Sequence, residues 1–387
     1  MMNSTCKCTS EGNAVLSAKK SNRENHAKTE KNREESNMTS LRQLMVSVVN
    51  AACSQSHRRK VLYAIICALM LLICGPQSSL AKDVFKMGIG DPIDSGAGEY
   101  GKEFKRIVEK RTNGNVTIEL FPNCSLGDES EMLQNTRRGT LDMCVIGIGN
   151  AVPLVPGLGA YTLPYLLDTE EAVVKATTGK LFDYFNTMSV KTGGLRILGH
   201  CYTNFRHLTN SKKAVTCLAD LKGIKLRVPN NKIFVATFQA WGANPVPMAW
   251  AETFTALQQG VIDGQDNPYV VNHTMKFEEV QKYLTELHYQ YSLQPLFIGE
   301  RTWKQLDPTL QKVLASAGME AQMHVLEWEN EQSGLARKAM EEAGVTVSVL
   351  RDENEWKRIA VEKIWPDYYE FIGGKAVIDM IQKELER

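Results

Sequence analysis

Among the residues of this 387-residue chain, Arg227 has the type and setting that most directly suggest chemistry. It lies in Ile224-Lys225-Leu226-Arg227-Val228, where apolar and basic residues alternate, so period-2 geometry turns Arg227 to the face opposite a core-facing Leu226. Pro229 ends that strand. A guanidinium held at a strand end presents a planar fork of donors that fits a carboxylate or sulfonate through two parallel bonds. The alternative is a solvated or salt-bridged arginine, the commoner fate of this residue. The surrounding stretch, Leu221 to Asn267, reads as a binding cleft for a small anion with no machinery for bond making.

Signatures of catalysis are missing elsewhere. The segment MGIGDPIDSGAGEYG follows a strand and precedes a helix, yet Ile93 stands where the third glycine of a dinucleotide fingerprint belongs. Gly96 and Gly98 would let backbone approach a ligand or make a turn. Residues 82–387 hold no phosphate loop, no H-E-x-x-H and no G-x-S-x-G, and no cofactor is expected. His200, His207, His273, His288 and His324 include no i,i+4 pair and read as structural or surface residues. Cys124, Cys144, Cys201 and Cys217 lack zinc-ligand spacing, so no metal site is expected. They read as small buried residues, with one bridge possible and its pairing open.

Alternating strands and helices must position Arg227. Val84–Ile89, Val116–Leu120 and Leu141–Ile146 read as strands, with helices over Tyr100–Arg111 and Glu129–Arg138, the βαβαβ rhythm of an open parallel or mixed sheet. A second set begins near Leu195–His200. It continues through strand Ile224–Val228, helices Lys232–Trp241 and Glu252–Gln259, and strand Val261–Gly264. Two such sets imply two lobes. From Asp307, an N-cap followed by Pro308, helix-compatible residues run to Glu342. Unbroken, that helix would be about 50 Å long and would cross both lobes. Gly318 and Gly334 are the places where it could break. Strand Val345–Leu350 and helices Asn354–Ile364 and Lys375–Leu385 close the chain.

The first 56 residues are polar and poor in aromatics, and are expected to be disordered or an over-long upstream segment with Met45 as the true start. Then come His57-Arg58-Arg59-Lys60, the apolar run from Val61 to Ile73, and Ser79-Leu80-Ala81. That is an export signal over 57–81, cleaved after Ala81. The apolar run is shorter than the roughly 20 residues of a spanning helix. Removing residues 1–81 takes 11 of 45 basic and 5 of 44 acidic residues, leaving 34 against 39, a formal net of −5. No basic field remains to attract nucleic acid.

Several long segments carry a family resemblance: Phe205-Arg206-His207-Leu208-Thr209-Asn210, LKGIKLRVP, GANPVPMAWAE, TALQQGVIDGQDNP and KFEEVQKYLT. In this order they resemble the solute-binding proteins of tripartite ATP-independent periplasmic (TRAP) transporters, of the dicarboxylate-binding type, over nearly all of 83–387. The resemblance implies an α/β, two-lobed periplasmic fold with hinge strands and a long helix spanning both lobes. Lobe I would take 82–203 plus about 291–331, and lobe II about 204–290 plus 332–387. It also implies a periplasmic, monomeric receptor that closes on one small organic anion and hands it to membrane permease subunits. Arg227 would form the main salt bridge to the ligand, with Arg206 and Asn267 as further contacts and Trp250, where many members have phenylalanine, as an aromatic wall.

Each position keeps its structural alternative. Arg206 could pair with a structural carboxylate, Asn267 before Pro268 could serve a turn, and Trp250 could be core. Asp128 and Asn150 should face the cleft from the first lobe, although Asp128 could instead cap the helix that follows. The rival functions are an exported enzyme and a sensory binding protein. Dicarboxylates, oxo and hydroxy acids, sugar acids and sulfonates all remain open as ligands.

Overall fold

The computed structural model describes residues 83–386 together with Ser47, and residues 83–386 belong to one compact unit. Apart from Ser47, the expectations for residues 1–81 lie outside the described residues. In chain order the strands are β1 (Asp83–Ile89), β2 (Val116–Phe121), β3 (Met143–Val145), β4 (Leu195–Phe205), β5 (His207–Asn210), β6 (Lys225–Val228), β7 (Asn244–Pro247), β8 (Gly264–Asn267), β9 (Tyr283–Glu286), β10 (Tyr291–Gly299) and β11 (Thr346–Val349).

They form two mixed sheets, ordered β2-β1-β3-β10-β4 and β11-β9-β5-β8-β6-β7. β1 runs parallel to β2 and β3, while β10 is antiparallel to β3 and β4. In the other sheet β6 is parallel to β7 and β8, and β5 is antiparallel to β8 and β9. This is the α/β two-sheet architecture expected. The chain passes between sheets at narrow points. Arg206 alone separates β4 from β5, and residues 287–290 separate β9 from β10. The Arg206 N–H donates to the Gln290 carbonyl at 3.0 Å, so the two crossings are tied side by side as hinge strands.

One unbroken helix, Pro308–Glu342, forms the spine. Asp307 caps it by accepting from Thr309 N at 2.7 Å, and Pro308 fills the first helical position. Leu314, Ala317, Ala321 and Val325 recur on one face and bury against Tyr100 and Phe104 of helix Gly96–Arg111. Farther along, Ala336 and Met340 pack with Tyr269 and Val270 near the second sheet. Gly318 does not break the helix. A Cβ there would lie 2.1 Å from the Leu198 carbonyl oxygen, and one on Gly199 would lie 2.5 Å from the Gly318 oxygen. Two glycines thus let spine and hinge strand β4 touch backbone to backbone.

Some expected elements shift. The strand placed at Val261–Gly264 lies instead at Gly264–Asn267, because Gly260 turns at φ 69° and Val261 remains 52% exposed. Asn354–Ile364 is a helix over Glu353–Ile359 followed by a π turn over Ala360–Ile364. Residues 151–194, unassigned from sequence, hold helices Glu170–Ala176 and Gly179–Gly193. The first helix begins at Gly96 rather than Tyr100, capped by Ser95. Gly96 abuts Glu329 of the spine and Gly98 abuts the Ile93 carbonyl, so these glycines serve packing. All four described cysteines are free thiols.

Candidate ligand-binding site

A cavity of about 410 Å³, part of it open to solvent, lies where the two sheets meet. Arg206, Arg227, Trp250, Asn267 and Asn150 all line it. Asp128 does not. Its carboxylate accepts from Ser130 N at 3.2 Å while Glu131 reaches back to its N–H, a capping box that fixes helix Glu129–Arg138. Asp128 thus serves as the helix cap that its sequence position also allowed.

Arg227 reaches the cavity from β6, next to the Pro229 bend, and is 2% exposed. Its Nε and Nη2 both donate to the Met248 carbonyl, at 3.1 and 2.9 Å. Among the described residues no carboxylate pairs with it, in contrast to Arg206. Burial, then the like charge of Arg206, pulls its pKa down to about 10, so it remains a cation at neutral pH. The Trp250 ring centroid lies 5.3 Å from its Cζ, within cation–π range, and Trp250 also packs edge-on against Phe277 with centroids 5.8 Å apart. Trp250 is thus both core aromatic and cavity wall.

Arg206, at the crossing from β4 to β5, is already paired. Its Nε donates to Asp266 Oδ2 at 2.5 Å, its Nη2 to the Asp266 carbonyl, and its Cζ sits 5.3 Å from the Phe234 ring centroid. Burial opposes its charge, but Asp266 and Tyr289 more than offset that and raise its pKa. Arg206 is therefore ion-paired, and it also lines the cavity. Asn267 ends β8 instead of making a turn, and its Nδ2 donates to Gln265 Oε1 at 2.6 Å.

Sequence reasoning missed two acids that line the same cavity, Asp91 and Glu129, which are 2% and 3% exposed. Asp91 follows β1 and accepts from Gln294 Nε2 at 2.6 Å. Burial raises its pKa against the pull of Gln294, Trp250, Arg206 and Arg227. Glu129 opens helix Glu129–Arg138 and accepts from Gly147 N at 3.0 Å and from Asn150 Nδ2. Burial first, then the charge on Asp91, pushes its pKa to about 7. Gln290, Ser292 and Gln294 complete the polar lining near and along β10. Their period-2 spacing in Gln290-Tyr291-Ser292-Leu293-Gln294 was the available signal: one polar face on a strand otherwise buried.

Chemically the cavity offers one cation without a carboxylate partner, an aromatic wall, amide groups, and two acids whose pKa burial raises. Among the described residues there is no cluster of metal-binding side chains, and no helix is long and apolar enough to cross a membrane. Burial lowers the pKa of the His200 ring to about 3, so it is a neutral core residue.

Residues 92–371 match the family described as bacterial extracellular solute-binding protein, family 7. The 2,3-diketo-L-gulonate-binding periplasmic protein of Escherichia coli is 33% identical over 289 residues, covering 75% of this chain and 87% of that protein. Among solved structures, a TRAP periplasmic solute-binding protein from a Polaromonas species, bound to D-erythronate, matches with TM-score 0.73 at 30% identity, covering 78% of this chain and 98% of the other. The sugar-acid-binding protein of Advenella mimigardefordensis in complex with galactonate gives 0.75 at 28% identity, covering 78% and 97%.

Proposed function

This chain belongs to the family 7 bacterial extracellular solute-binding proteins, and we propose that it is the periplasmic receptor of a TRAP transporter, capturing a small organic anion at Arg227. The observation that carries the proposal is a guanidinium 2% exposed, bonded only to a carbonyl, and open to a cavity. Burying such a charge without a partner is costly, so the site gains most from an incoming anion that completes the unfilled fork.

Arg227 anchors the carboxylate or sulfonate. Trp250 shields it, and Arg206, Asn267 and Asn150 orient the rest of the ligand. Residues 82–203 with about 291–331 form lobe I, and about 204–290 with 332–387 form lobe II; sheet membership supports this for the strands, whereas Trp365, Val377 and Ile381 near the C-terminus pack with Val173 and Phe185 of lobe I. An anion held by groups from both lobes favours the closed arrangement by its differential affinity for it. A membrane permease then receives the closed form. The chain acts as a monomer, is exported by cleavage after Ala81, and carries out no turnover of its ligand. Relatives named for diketogulonate, erythronate and galactonate support acids with hydroxylated bodies as the first compounds to try.

The test is a thermal-shift screen of residues 82–387 against organic acids, sulfonates and neutral analogues, repeated with Arg227→Ala. A bound ligand raises the melting temperature through mass action. The expected result is a shift for one acid class that Arg227→Ala weakens by about 2–5 kcal/mol, with ligand recovered unchanged. Shifts by neutral analogues alone, or recovery of an altered compound, would refute it.

A further inference from the structure

The cavity contains more acid than an anion receptor needs. Asp266 compensates Arg206 through a direct ion pair. That leaves Arg227 facing a space also lined by Asp91 and Glu129, both nearly inaccessible to solvent. With both acids ionised, the cavity groups already sum to one net negative charge. A singly charged ligand is offset by Arg227, whereas a second ligand charge must settle against Asp91 or Glu129 in a site poorly screened by water.

The hydrogen bonding points the same way. Asp91 Oδ2 receives Gln294, and Glu129 receives the Gly147 amide on one oxygen and Asn150 on the other. A carboxylate oxygen accepts two bonds, so both side chains keep room for donors from a ligand. Arg227, buried and lacking a carboxylate, supplies the independent sign that a ligand belongs here.

Resting on the anion-receptor reading above, we infer that Asp91 and Glu129 select the net charge of the ligand: the site takes a monoanion whose far end carries a hydroxyl donor and rejects the counterpart bearing a second acid group there. Asp91 and Glu129 are thus specificity-determining residues, and this receptor discriminates against dicarboxylates.

The protonation of Glu129 gives the selection a pH dependence. The groups acting on it are Asp91 after β1, Asp128 beside it in sequence, Cys124 after β2, Cys144 on β3, and Arg227 from the second sheet. Above pH 7 it is a carboxylate that repels a second acid group. Below pH 7 it is a neutral acid that can donate to one. Dianion binding therefore strengthens as pH falls through this range, while binding of a hydroxyl-ended monoanion changes little.

Titration calorimetry with matched pairs tests this, each pair differing only by CH₂OH against carboxylate at one end: erythronate and tartrate, galactonate and galactarate, 2-hydroxyethanesulfonate and sulfoacetate. All acid groups stay largely ionised at pH 6, so ligand titration does not intrude. In every pair that binds, the hydroxyl-ended member should be at least about 100-fold tighter at pH 8.5. The gap should narrow at least about tenfold at pH 6 in the unaltered protein, and similarly in Glu129→Gln at pH 8.5. A dianion within tenfold of its partner at pH 8.5, or a gap unmoved by both pH and substitution, overturns the inference while leaving the receptor intact. If no member of any pair binds, the anion reading itself fails. If anions bind equally well to Arg227→Ala, the anchor assignment fails while the charge selection is judged by the pairs alone. The sulfonate and carboxylate pairs also separate the two classes of anion.

Discussion

Substituting alanine for each of two glycines on the spine helix should have opposite effects. Gly318 and Gly334 both lie inside Pro308–Glu342, where alanine is favoured over glycine by about 1 kcal/mol. At Gly334 a new Cβ meets nothing within 4 Å, so the full gain should appear. At Gly318 the Cβ would lie 2.1 Å from the Leu198 carbonyl oxygen and 2.7 Å from its carbon. A comfortable carbon–oxygen contact is about 3.3–3.6 Å, so helix and strand must separate by roughly 1 Å. Both opposing atoms are backbone, and neither can swing aside as a side chain would. Overpacking of this kind costs about 1–3 kcal/mol, and the rigid neighbour places Gly318→Ala near the upper end. Set against the propensity gain, the net is about 2 kcal/mol of destabilisation. The two variants should therefore differ by about 3 kcal/mol, although the chemical change and the helix are the same. Urea unfolding of residues 82–387, followed by far-ultraviolet circular dichroism and compared at equal slope, measures it. Equal shifts, or stabilisation by both, would refute the backbone contact between spine and β4.

The two cavity arginines should also diverge when unfolding is measured without ligand: Asp266→Asn strands a buried Arg206 and should cost about 3–5 kcal/mol, whereas Arg227→Met removes an uncompensated charge and should cost nothing or stabilise. The reverse order would mean that Arg227 is the structural partner. His200 and His207 have pKa values lowered to about 3 by burial, so the folded form refuses protons that the unfolded chain takes up near 6.5. Stability is then fully present above pH 6.5 and falls as pH drops towards 3. Between those limits His200→Leu should reduce the dependence by about 1.4 kcal/mol per pH unit, and an unchanged slope in denaturation across that range would contradict it. Cys144 and Cys201 are fully buried, and burial raises both thiols, Cys144 to about 12. In residues 82–387 a thiol reagent at neutral pH should reach Cys217 first and Cys124, whose thiol burial also raises, slowly, with Cys144 and Cys201 protected until denaturant is added; mass spectrometry showing four labels on native residues 82–387 would disprove that.

Legibility in the sequence followed apolar periodicity. β1, β2 and β6 alternate or run apolar, and the spine announces itself through Asp307, Pro308 and a long run without breakers, so their positions could be read with small errors at the ends. Arg227 was legible for the same reason, as the odd residue in an alternating strand. β8 was not. Its Gly264-Gln265-Asp266-Asn267 contains no apolar side chain, yet every residue is buried, held by a hydrogen-bond network through Thr209, Asn272 and Arg206. Burial without hydrophobicity is set by tertiary partners, and no local window contains them. Glu129 was missed because its place in the first helical turn gave it an ordinary explanation, an acid near a helix N-terminus. Asp128 was expected at the cleft, and its neighbour Glu129 is the one that lines the cavity. One residue of rotation at the start of a helix decides which carboxylate faces inward, and the capping box settles that rotation only in three dimensions.

Trp250 gives this receptor an optical signal of its own. Of the six tryptophans, Trp241 and Trp356 lie against each other with centroids 5.0 Å apart, Trp365 donates to the Pro164 carbonyl, and Trp303 packs beneath Arg196. Trp328 packs beside the spine core, and among the described residues only Trp250 borders the cavity, with the Arg227 cation near its ring. An anion that settles on Arg227 changes the electric field across that indole, and with it the colour and intensity of its emission. Capture and release can then be timed by stopped-flow fluorescence on unlabelled protein, and Trp250→Phe, leaving the other five indoles in place, would darken the signal.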